Sequence, residues 1–190
     1  MNRRILLSGA VGAAVALATA PIAAASLSTA GPTAYDFTFD SIDGGRLALA
    51  AFTGRPILLV NTASFCGYTY QYEGLEALWQ RYRDGGLVVL GVPSGDFGGQ
   101  EYASNGEVKD FCESTFAIDF PMTAIEHVVG ADAHPLYRWL AGDWGAQGVP
   151  RWNFHKVLFD RSGKPAAAWP SGVRPESPEV RAAIEAQLGR

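Results

Sequence analysis

The sequence predicts an α/β protein built on a central mixed sheet flanked by helices, with a β-hairpin at its N-terminal end. Two continuous apolar runs of strand length, Ile57–Thr62 and Leu87–Val92, are separated by a stretch with helical periodicity. Strand, helix, strand at this spacing is a βαβ unit, whose strands run parallel and are buried on both faces. Hairpin patterns before and after that unit add antiparallel pairs, which makes the sheet mixed.

Ahead of the fold, Met1-Asn2-Arg3-Arg4 is followed by an apolar, Ala-rich run from Ile5 to Ala25. Two arginines, an apolar core and small residues at Ala23-Ala24-Ala25 read as a secretory signal peptide over residues 1–25. Arg3-Arg4 before Ile5-Leu6-Leu7 matches part of a twin-arginine signal. The run is nearly long enough to span a bilayer, but its alanines, Gly9, Gly12 and Pro21 favour cleavage over anchoring. Export to the periplasm or the medium is the expectation, with 26–34 as a small, polar linker and 35–190 as one domain. Cleavage leaves 165 residues with 13 basic and 19 acidic side chains, a net charge of −6. An acidic surface without a basic run argues against nucleic acid and anionic membranes as partners.

Tyr35–Asp40 alternates with period two and Asp43-Gly44-Gly45 leads into Arg46–Leu49, a hairpin pattern. Thr53-Gly54-Arg55-Pro56 then precedes the strand Ile57–Thr62. Leu75, Leu78, Trp79 and Tyr82 share one face of a helix that Asp84-Gly85-Gly86 stops. Beyond Leu87–Val92 lies a Gly-rich loop, Pro93 to Glu101, without either phosphate-loop pattern. Asn105 begins a helix with Val108, Phe111, Cys112 and Phe116 on one face, and Phe120-Pro121-Met122-Thr123 leads towards a third strand. His134-Pro135-Leu136-Tyr137 opens another helix, with proline early as helix starts allow. Arg151–Asp160 reads as a strand, turned by Arg161–Lys164 into Pro165–Trp169. Pro178 introduces a last helix with Val180, Ile184 and Leu188 facing inward. This order resembles a thioredoxin-like fold.

Cys66 is the centre of the functional reading. The strand Ile57–Thr62 delivers it to a turn at the sheet's carboxyl edge, where open α/β sheets hold ligands, and a helix pattern starts just beyond. N–H groups and the positive dipole end of a helix start favour a thiolate. The alternatives are a cysteine packed as a small apolar residue and, since Cys112 is the only other cysteine, a structural disulfide of an exported protein. There is no C-x-x-C and no His/Cys spacing of a zinc site, so neither metal nor cofactor is expected. A thiol that attacks a peroxide also needs neutral donors for the oxygens, and Gln100 and the pair Trp152-Asn153 supply an indole N–H and two amides. Taken singly, Trp152 reads more readily as core, Asn153 as a turn cap and Gln100 as a solvated loop residue.

Four segments together resemble one family. Asn61-Thr62-Ala63-Ser64-Phe65-Cys66-Gly67-Tyr68-Thr69 is similar to the glutathione peroxidase signature N-x-A-S-x-C-G-x-T. Leu90–Pro93 with Phe97-Gly98-Gly99-Gln100-Glu101 resembles its second signature, His134-Pro135-Leu136-Tyr137 its H-P-L-Y segment, and Trp152-Asn153-Phe154 with Lys156 its W-N-F-x-K segment. The resemblance implies a catalytic tetrad of Cys66, Gln100, Trp152 and Asn153, and a resolving role for Cys112. It implies reduction of hydrogen peroxide and organic hydroperoxides through a sulfenic acid, with recycling through a Cys66–Cys112 disulfide by a thioredoxin-like protein or by glutathione. Because Cys112 falls on the buried helix face, that disulfide requires the helix to unwind locally. Ser94-Gly95-Asp96 stands where the family has Cys-Asn-Gln, and an inward-pointing Asp96 would oppose a thiolate. The short connection from Tyr137 to Trp152 implies a monomer. The rival classes are a thiol–disulfide oxidoreductase of the same fold, disfavoured by the missing C-x-x-C, and a non-catalytic redox-sensing or binding protein.

Overall fold

The computed structural model describes Met1 and residues 31–189. The signal-peptide reading of 1–25, and residues 26–30 of the linker, fall outside the described residues apart from Met1. Chain contacts divide the protein into Met1–Gly31 and Pro32–Arg190, and the fold described below is the second unit.

Its elements are β1 (Thr38–Asp40), β2 (Arg46–Ala48), β3 (Ile57–Thr62), α1 (Gln71–Tyr82), β4 (Val88–Pro93), α2 (Asn105–Phe116), α3 (Pro135–Asp143), β5 (Lys156–Phe159), β6 (Pro165–Trp169) and α4 (Pro178–Leu188). β1 and β2 form the expected N-terminal hairpin, Phe39 opposite Leu47. The four-stranded sheet has the order β4-β3-β5-β6. β3 pairs parallel with β4, antiparallel with β5, and β5 antiparallel with β6. It is a mixed sheet on a thioredoxin-like plan.

Every residue of β3 and β4 is buried, as two-faced burial requires of central strands. Alternation then divides the core. Leu58 and Val60 join Leu75 and Leu78 of α1, Val108 and Cys112 of α2, and Val180, Ile184 and Leu188 of α4. Ile57 and Leu59 face the other way, with Leu136 and Leu140 of α3 and Phe39 of the hairpin. Helices therefore cover both faces, and the carboxyl ends of β3 and β4 open on one edge.

Local chemistry sets the helix boundaries. Ser104 caps α2 through its hydroxyl, which accepts from Glu107 N–H at 3.3 Å and lies 2.7 Å from the Glu107 carboxylate. His134 caps α3 through Nδ1, which accepts from Leu136 N–H at 3.2 Å, while its ring stacks on Phe39. Gly86, at φ 106°, supplies the left-handed residue that turns the chain from the end of α1 into β4.

Two expectations are corrected. No strand forms between Phe120 and α3: Met122 and Thr123 make isolated bridges to Gly91 and Ser41 only. Pro121 has no N–H to extend a ladder, and Phe120 and Met122 instead cover the bare backbone of Gly91. The strand read over Arg151–Asp160 is shorter, starting at Lys156. Phe154 has φ 63°, a left-handed conformation that breaks an extended run.

Candidate active site

β3 ends at Thr62, and the chain turns through Ser64–Tyr70 before α1 begins at Gln71. The helix therefore starts five residues beyond Cys66, and the N–H that reaches the thiol belongs to the turn between them. Cys66 Sγ accepts from Tyr68 N–H at 3.4 Å. Thr69 holds the turn shut: its Oγ1 accepts from Cys66 N–H at 3.1 Å and lies 2.7 Å from Cys66 O and 2.9 Å from Ala63 O. Cys66 is 8% exposed, so solvent reaches it only narrowly. Both cysteines are free thiols, and the structural disulfide is not formed in this structure.

The loop after β4 closes on this turn. Phe65 N–H donates to Gln100 O at 2.9 Å, and Ser64 N–H to Glu101 Oε1 at 3.2 Å. Across the edge, Asn153 is fully buried and its Nδ2 donates to Gln100 Oε1 at 3.1 Å. Trp152 is not core: it is 41% exposed, with its ring 5.8 Å from that of Phe97. Gln100, Trp152 and Asn153 are thus gathered at the edge that carries Cys66, although the last two come from a segment more than 50 residues away from Gln100. Phe65, Tyr70 and Trp152, with Met1, are the exposed large hydrophobic residues among those described. Phe65 and Tyr70 lie on the Cys66 turn, so the site has an apolar rim.

One residue that sequence reasoning left without a role registers the two halves. Asn61 O accepts from Phe154 N–H at 2.6 Å, its Oδ1 accepts from His155 N–H at 3.2 Å, and its Nδ2 donates to Trp152 O at 3.1 Å. The signal was its place in a buried strand, where an amide must find partners.

Asp96 points away from an unfavourable encounter with the thiol. Its carboxylate accepts from Val128 N–H at 2.6 Å and Val129 N–H at 3.1 Å, and pairs with His127 Nδ1 at 2.6 Å. Although partial burial opposes it, these bonds hold the carboxyl below its ordinary range. Ser94 Oγ accepts from Asp96 N–H at 3.3 Å, so Ser94-Gly95-Asp96 supplies its own loop support.

Cys112 is 1% exposed on the inner face of α2, as the periodicity implied. Burial pushes its thiol up to about 11. Among the described residues, no group of three or more His, Cys, Asp or Glu is placed to hold a metal.

This geometry defines a class: a thiol-based redox protein with a single reactive-edge cysteine and neutral donors around it. The glutathione peroxidase family model matches residues 34–141. A hydroperoxy fatty acid reductase of Synechocystis sp. is 41% identical over 164 residues, 82% of this chain and 96% of that protein. A glutathione peroxidase-like peroxiredoxin of Schizosaccharomyces pombe is 39% identical, over 75% of this chain and 91% of its own length. Among solved structures, T. cruzi GPX1 superimposes with a TM-score of 0.67 at 30% identity, over 83% of this chain and 97% of that one. A thiol:disulfide interchange protein of Chlorobium tepidum, at 18% identity and a TM-score of 0.62, shares the fold alone. The chain belongs to the glutathione peroxidase family and is a thiol peroxidase acting on hydroperoxides.

Proposed function

We propose that Cys66 is the peroxidatic thiol and that Gln100, Trp152 and Asn153 bind and polarise the peroxide. The Cys66 thiolate attacks one peroxide oxygen, an S–O bond forms, and the O–O bond breaks. The leaving oxygen takes a proton and departs as water or an alcohol, and the sulfur becomes a sulfenic acid. Neutral amide and indole donors suit this step because they stabilise charge on the oxygens without bringing an ion that must itself be desolvated. The observation that carries the assignment is the Asn153–Gln100 hydrogen bond, tied through Gln100 O to the residue before Cys66.

Cys112 then condenses with Cys66, water leaves, and a thioredoxin-like dithiol protein reduces the disulfide; glutathione is the second candidate reductant. The acidic surface gives no basic face for nucleic acid. The enzyme works as an exported monomer, periplasmic or secreted after removal of residues 1–25, in defence against oxidative stress. Cys66→Ser should abolish peroxide consumption in stopped flow while the protein stays folded by circular dichroism. Retained consumption would sink the assignment. Mass spectrometry of the peroxide-treated protein tests Cys112, since a lasting Cys66 sulfenic acid with no 66–112 disulfide refutes the resolving role.

A further inference from the structure

Lys156 closes the W-N-F-x-K segment, and the peroxide-reducing step gives it no task. It is fully buried in β5, where an ammonium is costly unless its charge and its donors are met. Its three N–H donors find three neutral acceptors: Gln71 Oε1, Val173 O at 2.5 Å and Ser171 O at 3.4 Å. The carboxylate that attracts it, Glu176, is exposed and pairs with Arg174 at 3.6 Å. A charge kept in the interior on neutral partners calls for a reason beyond packing.

An unbroken series of hydrogen bonds leads from this ammonium to the thiol. Gln71, 1% exposed, is gripped at both ends of its amide: Oε1 accepts from Lys156 Nζ, and Nε2 donates to Ser171 O at 2.7 Å. Its backbone N–H donates to Tyr68 O at 2.9 Å, and Tyr68 N–H donates to Cys66 Sγ at 3.4 Å. Thr69 closes the same turn from inside, but its hydroxyl binds at Ala63, Ser64 and Cys66 and never reaches Tyr68. We propose that Lys156 is a positioning residue: through Gln71 it fixes the Tyr68 N–H that the Cys66 thiolate accepts. A donor held in place favours thiolate over thiol, and the thiolate is the form that attacks. The consequence for peroxide reduction rests on the peroxidatic role proposed for Cys66; the hold on the thiol does not. Other titratable and charged groups around this series are the same in every variant below. His155, next to Lys156, turns its Nε2 to Gln147 O at 3.1 Å. Arg174 lies over the Tyr70 ring at 5.3 Å, and Glu101 takes Ser64 N–H at 3.2 Å.

The test compares wild type, Lys156→Met, Gln71→Met and the double variant, each checked for its fold by circular dichroism. Alkylation of Cys66 by iodoacetamide is followed from pH 6 to pH 10 by peptide mass spectrometry, which separates it from Cys112. At pH 6 Lys156, which burial pulls down to about 7, still carries its charge. There each single variant should alkylate Cys66 about tenfold more slowly, roughly the worth of one charge-assisted hydrogen bond. The gap should close towards pH 10, where the thiol is ionised with or without the donor. The double variant should be no slower than the slower single, because both changes cut one path. Hydrogen peroxide consumption at pH 6 should fall in step. Three results overturn the proposal: rates within twofold of wild type, a loss equal at pH 6 and pH 10, which marks altered access, or a double variant slowed by the product of the singles, which marks independent action. Gln71→Met carries the same test should Lys156→Met fail to fold. A wild type that consumes no peroxide refutes the peroxidatic role of Cys66, and the alkylation rates still decide the role of Lys156.

Discussion

Replacing Lys156 by methionine should flatten the rise of stability between pH 7 and pH 9. Lys156 lies in β5 with no solvent exposure, and its ammonium donates to Gln71 Oε1, to Val173 O at 2.5 Å and to Ser171 O at 3.4 Å. Burial pulls it down from the ordinary 10.5 to about 7, against the opposing pull of Glu176. A folded-state value below the unfolded one means that above pH 7 the unfolded chain binds a proton that the folded chain does not. Stability therefore rises with pH in that window and is flat below it. At about 1.4 kcal/mol per unit, the rise from pH 7 to pH 9 is about 2 kcal/mol, or roughly 5–9 °C in Tm for a chain of this size. The window ends near pH 9 because Cys112, raised from 9.0 to about 11, then acts in the opposite sense. The absolute stability of Lys156→Met is a poor guide, since losing a buried charge offsets leaving Gln71 Oε1 and Val173 O without a donor. The slope is diagnostic. Urea unfolding at pH 6, 7, 8 and 9 should give wild type and variant curves that diverge above pH 7. Parallel curves, within about 0.5 kcal/mol across the window, would falsify the reasoning.

Other perturbations read other parts of the site. Asn61→Ala removes two side-chain bonds to the 152–155 segment, and should cost about 1–3 kcal/mol in urea and slow peroxide consumption at least tenfold. Asp96→Ala orphans Val128 and Val129 N–H and should cost a similar amount at pH 7 while peroxide consumption stays within about threefold. Because the Asp96 carboxyl is lowered, its contribution is present above the ordinary carboxylate pKa and lost as pH falls through the folded value, so wild type and variant should converge in acid. Cys112 should resist iodoacetamide in the reduced native protein at pH 8, at least a hundredfold more than in urea, because its thiol is buried and raised to about 11; equal alkylation would contradict the burial.

What the sequence reveals of this fold is what local pattern encodes. The apolar runs at β3 and β4 are legible because both faces of a central strand need the same chemistry, and α4 because Val180, Ile184 and Leu188 recur at helical spacing. The early end imposed on β5 is not legible. Nothing local tells a reader that Phe154 takes φ 63°; that conformation is held by Asn61, more than 90 residues earlier. Thr69 acts over a shorter span, binding back to Cys66 and Ala63 in the turn that precedes α1 at Gln71. Cys66, Gln100, Trp152 and Asn153 stand out only as members of three of the four motifs. Singly, Trp152 looked like core, and its 41% exposure is a property of the assembled edge.

The placing of Asn61 explains why strand and site cannot be separated. The β3–β5 ladder ends at the pair Val60 and Lys156. One residue further, a regular ladder would have to continue through His155 and Phe154, which would hold Trp152 and Asn153 in the sheet's own plane. Asn61 substitutes its amide for the missing pairing: Oδ1 takes His155 N–H and Nδ2 reaches Trp152 O, while its carbonyl takes Phe154 N–H. The backbone polar groups stay satisfied although the chain has left extended geometry. The segment is free to turn Asn153 onto Gln100 and to leave Trp152 at the rim. Five residues beyond Asn61, the same strand delivers Cys66. Cys66 and the groups proposed to bind the peroxide are thereby referenced to a single fixed point in a fully buried strand, which is the rigidity that preorganised donors require.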